Sequence, residues 1–316
     1  MRKGLWPIAV MEMPTPAALA SRRNILIGSA SALATVLIWA GWVVATRHAA
    51  QRLDVSVVGL LRFGIPALLL APVWWRTGLL PRGMSRRVLI AIVAGSGVPF
   101  FLIVTLGLRF APAAEVGPLL PGTMPLFVAV MAYGLDRERP SLLRKAGFVL
   151  IAIGIAVIVG HEIALGAGAT GPGHLLVLTG ALLWAIYTIA FRRSGLSAVE
   201  GAAVIAAWST ILVLPFGVLP LIEALAHGRG GEVAVQALVQ GGLSGVVAVV
   251  LFGVAILRLG ASRAAAFAAL IPALVAMLAI VFLGEVPSGA ALMGIAATSA
   301  GVALASGAFE RRSRAA

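Results

Sequence analysis

Two charged residues of this 316-residue chain stand inside otherwise apolar stretches, and each could bind a charged group. Arg62 would bind a carboxylate or another anion, or else form a structural ion pair or extend its guanidinium towards water. Glu115 would take up a proton or bind an ammonium group, because an ionised carboxylate is expensive in apolar surroundings. The alternative for Glu115 is a structural charge near a helix N-terminus, paired with Arg109 or Arg62.

Two pairs of aromatic residues, one in each half of the chain, share the same spacing. Trp39 and Trp42 are three residues apart, and Trp184 and Tyr187 repeat that spacing. On a helix each pair lies on one face, where the rings could stack on planar or cationic groups. Plain packing or an interfacial aromatic belt is the alternative. We expect Trp39 and Trp184 to line a cavity, and assign three others to the belt or the lipid face: Trp74, Trp75 and Trp208.

Prolines interrupt several apolar stretches. Proline removes a backbone donor and clashes with the preceding turn, and the carbonyl groups it frees need a partner such as a water-filled cavity. Kinks are therefore predicted, as hinges or as static bends, at five positions: Pro99, Pro118, Pro121, Pro125 and Pro272.

Templates for catalysis and metal binding are missing from the sequence. It contains no HExxH, GxSxG or GxxxxGK motif and no paired carboxylates within a span, so an enzyme is not expected. The absence of cysteine excludes disulfides and thiolate ligands. The histidines lack ligand spacing and are expected to be solvated or interfacial: His48, His161, His174 and His227. No metal or cofactor is predicted.

The elements that position these residues must lie in a membrane. Hydrophobic residues make up 61% of the chain, charged residues 11%, and the mean hydropathy is +1.06, whereas soluble domains are about 25% charged. Each apolar stretch approaches the ~20 residues that span a bilayer as a helix. The sequence predicts ten spans, at 25–46, 55–75, 88–108, 112–134, 142–160, 174–191, 198–222, 233–257, 264–283 and 287–308.

Basic residues are distributed unevenly over the predicted loops. Of the 24 Lys and Arg residues, 19 fall on the side of the N-terminus, 4 on the other side, and Arg62 within a span. This is the positive-inside pattern. It predicts a multi-pass protein of the cytoplasmic (inner) membrane with both termini in the cytoplasm. The net charge of +13 follows from this asymmetry, and nucleic acid is not an expected partner.

The sequence also repeats itself about 147 residues apart. Four positions match in one register: Pro125 with Pro272, Glu138 with Glu285, Pro140 with Pro287 and Ser141 with Ser288. Upstream, within a slip of two residues, LIWA at 37–40 matches LLWA at 182–185. Because five spans is an odd number, the second half enters the membrane from the opposite side. The prediction is an all-α polytopic protein of two inverted five-helix repeats enclosing a site.

The domain boundaries follow from this repeat. We expect a disordered cytoplasmic tail at 1–24, a first repeat at 25–160, a linker at 161–173, a second repeat at 174–308 and a cytoplasmic tail at 309–316.

The repeated motifs resemble those of the EamA-type transporters of the drug/metabolite transporter superfamily. The resemblance covers 25–308 and rests on Ile38-Trp39-Ala40-Gly41, Leu61-Arg62-Phe63, the stretch from Ala113 to Leu126, Asp136-Arg137-Glu138, Leu270-Ile271-Pro272-Ala273-Leu274 and Leu283-Gly284-Glu285.

This resemblance implies secondary transport of a small polar or amphipathic metabolite, amino-acid-like or related, by alternating access, often as an exporter. Its partners would be the solute and the lipid bilayer, with proton coupling at Glu115 as a further hypothesis; the sequence leaves monomer and homodimer open. Glu115 has no counterpart in the second half, which implies an asymmetric cavity. The alternative is a channel-like or non-transporting membrane protein.

Overall fold

The computed structural model describes residues 22–310, apart from residues 138, 165 and 167–169. Within these residues the secondary structure is helical and contains no strand. The helical segments are α1 (Arg22–Ala50), α2 (Val55–Leu69, continued after a 74° bend by Ala71–Thr77), α3 (Arg86–Phe110), α4 (Ala113–Leu135), α5 (Leu142–Ala164), α6 (Gly171–Arg192), α7 (Ala198–Ala226), α8 (Gly230–Leu259), α9 (Ala261–Leu283) and α10 (Gly289–Ala305).

The prediction of an all-helical polytopic membrane protein is confirmed. In the described part of the chain, eight helices are long and apolar enough to cross a bilayer, or nine if the bent α2 is one span. The segment α10 is a shorter apolar helix of 17 residues. The exact count of ten spans stays a prediction. Most of the predicted N-terminal tail, the end of the C-terminal tail and Glu138 lie outside the described residues.

Two equivalent serines of the repeat begin equivalent helices. The hydroxyl of Ser141 accepts a hydrogen bond from the Arg144 N–H at 3.3 Å, and that of Ser288 accepts one from the Ala291 N–H at 3.1 Å. A side-chain oxygen at this position satisfies a donor that the first turn leaves unpaired. The sequence repeat is therefore a repeat of local structure.

Three helices break where prolines were predicted to bend them. In α3, Gly97 is extended between Arg86–Ser96 and Val98–Phe110; α4 is interrupted between Ala113–Leu119 and Met124–Asp136; and α9 contains a 3₁₀ turn at Phe267–Leu270. The segments after these breaks carry Pro99, Pro125 and Pro272 in their first turn, where the missing N–H costs no hydrogen bond. In α8, residues 237–247 form a π-helix.

Glycines at the crossing of α5 and α10 show how the halves are related. A Cβ on Gly147 would lie 2.6 Å from the Gly301 carbonyl oxygen, and one on Gly154 would lie 2.8 Å from that of Gly294. The repeat aligns Gly147 with Gly294 and Gly154 with Gly301. The contact of Gly147 with Gly301 is therefore equivalent to the contact of Gly294 with Gly154. A pseudo-two-fold axis therefore passes between the helices, as inverted repeats require.

The helices around the centre of the molecule follow the same pseudo-two-fold symmetry. Helix α1 packs on α8, and its equivalent α6 packs on α3, the equivalent of α8. Each pair joins a helix of one half to a helix of the other. The aromatic pairs on α1 and α6 are thereby held at the boundary between the halves.

Candidate functional site

A cavity of about 480 Å³ lies between the two halves. Four of the six residues predicted to bind a solute line it: Trp39, Trp42, Arg62 and Trp184. The broken stretch of α4 contributes Pro121 and Pro125. Most of the remaining wall is apolar and comes from both repeats.

Each of the two predicted tryptophans packs on a phenylalanine of the other half. The ring centroids of Trp39 and Phe252 are 5.1 Å apart, and those of Trp184 and Phe100 are 5.3 Å apart. Both phenylalanines also line the cavity. Sequence reasoning missed them, because only the pairing of α1 with α8 and of α3 with α6 brings them to the tryptophans. The result is an aromatic wall on either side of the axis.

Tyr187 supports this wall from behind. It is not among the residues that line the cavity, but its ring lies 5.0 Å from that of Trp184, in an edge-to-face arrangement. On its other side it packs closely on Gly95 of α3, where a Cβ would come within 2.7 Å of the Tyr187 Cβ. The side chain thus fixes the orientation of Trp184 in this conformation.

The guanidinium group of Arg62 is surrounded by three aromatic rings. Its Cζ lies 4.9 Å from the centroid of Trp42, 5.8 Å from Phe63 and 5.9 Å from Phe101, distances at which ring quadrupoles stabilise a cation. Its Nε and Nη1 atoms are buried and have no hydrogen-bond partner among the described residues. The predicted ion pair with Glu115 is not formed.

One end of the cavity reaches the ends of three helices. Arg144 near the start of α5, Arg192 at the end of α6 and Ser306 after α10 line it there, and Arg192 is exposed. Arg144 Nε donates to the Ala305 carbonyl oxygen at 3.1 Å. In the described lining, the charged side chains are three arginines and include no Asp or Glu.

The opposite side of the molecule carries an ion pair between the halves. Arg47 Nε lies 2.8 Å from Glu285 Oε1, with the side chains 13% and 20% exposed. Arg47 Nη1 also donates to the carbonyl oxygens of Leu108 and Arg109, at 2.5 and 3.1 Å. Glu285 Oε2 accepts from the Ala113 N–H at 2.7 Å. These bonds tie α1, α3, α4 and the end of α9 together.

Glu115 is buried outside the lining of the cavity. Its Oε2 lies 2.7 Å from His174 Nε2, and neither of the predicted partners, Arg109 and Arg62, contacts it. The expectation of a solvated or interfacial His174 is wrong, since this residue is only 2% exposed. The reason is that α6 begins at Gly171 and packs its first turn, through Gly173, against Gly107 and Ala111 at the end of α3.

Comparisons with known proteins agree with this architecture. A crystal structure 22% identical in sequence superposes with a TM-score of 0.55 and covers 90% of this chain and 98% of the other, which supports the fold. A protein of Archaeoglobus fulgidus named an uncharacterized transporter is 27% identical over 277 residues, 85% of this chain and 94% of that protein. A probable terminal-alkyne amino-acid exporter of Streptantibioticus cattleyicolor is 28% identical over 279 residues, 85% of this chain and 90% of the exporter.

The family comparison covers nearly the whole chain. The EamA-like transporter family matches residues 26–160 and, a second time, residues 171–307. The two matches fall on the two halves that the glycine contacts relate by a pseudo-two-fold axis. The chain belongs to the EamA-like transporter family.

Proposed function

We propose that the protein is a secondary exporter of a small amphipathic metabolite, amino-acid-like or related. The observation that carries this proposal is the aromatic cavity between the halves, which reaches one side of the molecule while an ion pair joins the halves on the other side. Pockets of about 300–1,000 Å³ enclose small organic ligands, and the cavity volume of about 480 Å³ lies in that range. The related amino-acid exporter supports both the solute class and the direction.

Alternating access would follow from the inverted repeats, because one repeat can rock against the other around a fixed site. In the present conformation the cavity reaches Arg192 and Ser306, on the side that we assign to the cytoplasm. We propose that the breaks in α3, α4 and α9, at Pro99, Pro125 and Pro272, are the hinges. The two repeats, at 25–160 and 174–308, would then move as the two units.

The first test concerns orientation in the membrane. We expect reporter fusions at the C-terminus and within 161–173 to report opposite compartments, with the C-terminus in the cytoplasm, because an odd number of spans separates the two sites. Alkaline phosphatase and fluorescent-protein fusions measure this directly. Reports from the same compartment at both sites would contradict the inverted topology and the proposed inner-membrane arrangement.

The second test concerns transport itself. Metabolites that differ between the medium of deletion and overexpression cells identify candidate solutes, which are then loaded into proteoliposomes. We expect external radiolabelled solute to accumulate transiently against internal unlabelled solute, because a carrier exchanges solute across a single reorienting site. A Trp39→Ala/Trp184→Ala variant should lose about thirtyfold in exchange rate, since each of the two rings contributes about 1 kcal/mol of stacking.

The outcome also decides between a carrier and the alternative functions. A channel lets its solute equilibrate and shows no counterflow, and a non-transporting protein moves nothing. Either result, with a correctly folded protein, would contradict the proposed function.

A further inference from the structure

Buried polar atoms without partners gather beside the cavity where α1, α2 and α8 meet. In the part of the chain that the structure describes, they are Trp42 Nε1, Arg62 Nε and Nη1, Gln240 Oε1 and Ser244 Oγ. Buried polar groups in native proteins almost always have a hydrogen-bond partner. Five such atoms in one region indicate a group that binds there and is supplied from outside the chain.

Contacts join Gln240, Trp42 and Arg62 into one cluster, and Ser244 follows Gln240 by four residues on the same π-helical segment. Gln240 Nε2 donates to Thr46 Oγ1 at 2.9 Å, and Thr46 Oγ1 donates to the Trp42 carbonyl oxygen at 2.6 Å. The Trp42 ring in turn lies 4.9 Å from the Arg62 guanidinium. Both Trp42 and Arg62 line the cavity, so the cluster adjoins the space that holds the solute.

Helix α8 reaches this cluster through its π-helical segment. Gly245, which follows Ser244, packs so closely on α2 that a Cβ would lie 2.5 Å from Pro66 Cγ and 3.4 Å from the Arg62 carbonyl oxygen. The π-helix at 237–247 carries both Gln240 and Ser244. Such segments are rare and occur frequently at functional sites.

The equivalent position in the other half is satisfied by the protein itself. Arg62 lies beside Gly245, and the residues 147 positions away from these two, Ser209 and Val98, also meet. The Ser209 Oγ accepts a hydrogen bond from the Val98 N–H at 3.2 Å, at the break of α3. Helices α3 and α8 are equivalent in the two repeats. Thus Ser209 uses its polar atom to cap a broken helix, while Arg62, beside the interrupted α8, keeps two nitrogens unpaired.

We propose that the cluster of Trp42, Arg62, Gln240 and Ser244 binds the carboxylate of the transported solute. This inference rests on the proposed function and names the class of solute. The guanidinium, the indole N–H and the serine hydroxyl are three donors, and charge-assisted bonds from a guanidinium to a carboxylate are among the strongest in proteins. The apolar body of the solute would lie along the aromatic wall.

An amino group on the solute would contribute less to binding than the carboxylate does. The cavity lining contains no carboxylate among the described residues, and Glu115 is occupied by His174. The unpaired Gln240 Oε1 can accept a hydrogen bond from a hydroxyl or amino group next to the carboxylate. The site therefore requires a carboxylate and tolerates an adjacent donor.

Binding of three matched probes to the purified full-length protein tests the inference. The probes are 3-phenylpropanoate, 3-phenylpropanamide and phenethylamine, followed by calorimetry or tryptophan fluorescence. We expect the carboxylate to bind at least tenfold more tightly than the amide or the amine. Arg62→Gln should bring carboxylate and amide within about twofold, and Ser244→Ala should reduce the preference about threefold. Arg52→Gln removes an exposed arginine that pairs with Glu232 and should keep the full preference.

Three results would overturn the inference. The cluster does not select a carboxylate if the carboxylate and the amide bind equally, or if the amine binds most tightly. In that case, counterflow of a solute in the exchange assay would still support the proposed function. A preference unchanged in folded Arg62→Gln would remove Arg62 from the site. Ser244→Ala deletes one unpartnered hydroxyl, so it provides the same test if Arg62→Gln does not fold. Failure of all three probes to bind would contradict the amphipathic cavity as well, and with it both proposals.

Discussion

Replacing Glu285 by glutamine is expected to increase, at least tenfold, the rate at which a reagent reaches the cavity from the side that carries this residue. Glu285 pairs with Arg47 and accepts a bond from the Ala113 N–H. A hydrogen bond that involves a charged group contributes about 1.5–3 kcal/mol. Since these bonds join the two halves on that side, their loss should disfavour the present conformation by about 2 kcal/mol, a shift of roughly thirtyfold in population.

The chain makes this measurement straightforward because it contains no cysteine. Val43 lines the cavity on α1, one turn before Arg47, and is 2% exposed. A Val43→Cys variant should react slowly with a membrane-impermeant maleimide added to intact cells. Adding Glu285→Gln should increase the rate of labelling at least tenfold.

A second ion pair on the same side provides the matched control. Arg52 and Glu232 lie 3.2 Å apart, but their side chains are 57% and 33% exposed, and exposed pairs contribute only about 0–1 kcal/mol. Glu232→Gln should therefore leave the labelling of Val43→Cys within about twofold of its starting rate. Equal labelling in the Glu285→Gln and Glu232→Gln backgrounds would mean that the Arg47–Glu285 pair does not hold this side closed.

The sequence predicted those features that depend on local pattern or on the repeat itself. Helix α4 breaks at its prolines because proline removes donors wherever the chain goes. Trp39 and Trp184 face the same space because two helices with equal spacing occupy equivalent positions in inverted repeats. Their role in binding a solute stays a prediction that the exchange assay addresses.

Features that depend on contact between the halves could not be predicted in this way. The Arg47–Glu285 pair joins residues 238 positions apart in sequence, and the repeat relates equivalent helices without saying which of them touch. The π-helix in α8 has no clear sequence signal, because its residues are compatible with an ordinary helix. The sequence places Glu115 in an apolar stretch, and its partner could not be predicted because it depends on where α6 packs.

Removing His174, the partner of Glu115, is expected to destabilise the protein clearly. His174→Ala leaves the buried Glu115 side chain without this hydrogen bond, and a buried polar group left without its partner costs about 1–3 kcal/mol, or more where it is charged. Glu115→Gln replaces the charge by an amide of the same shape that still reaches His174, so it should cost only about 1 kcal/mol. The double variant should be more stable than His174→Ala, because a neutral amide costs less than a carboxylate when it is buried without a partner.

Thermal unfolding of the four proteins in one detergent measures this coupling as a double-mutant cycle. His227→Ala, which removes an exposed histidine, should change the unfolding temperature little. Additive effects of Glu115→Gln and His174→Ala would contradict the stabilising pair. The same Glu115→Gln protein tests the hypothesis of proton coupling: if Glu115 carries the coupled proton, transport by this variant loses its pH dependence. An unchanged pH profile, together with strong coupling in the cycle, would make Glu115 a structural residue that fixes the start of α4 against α6.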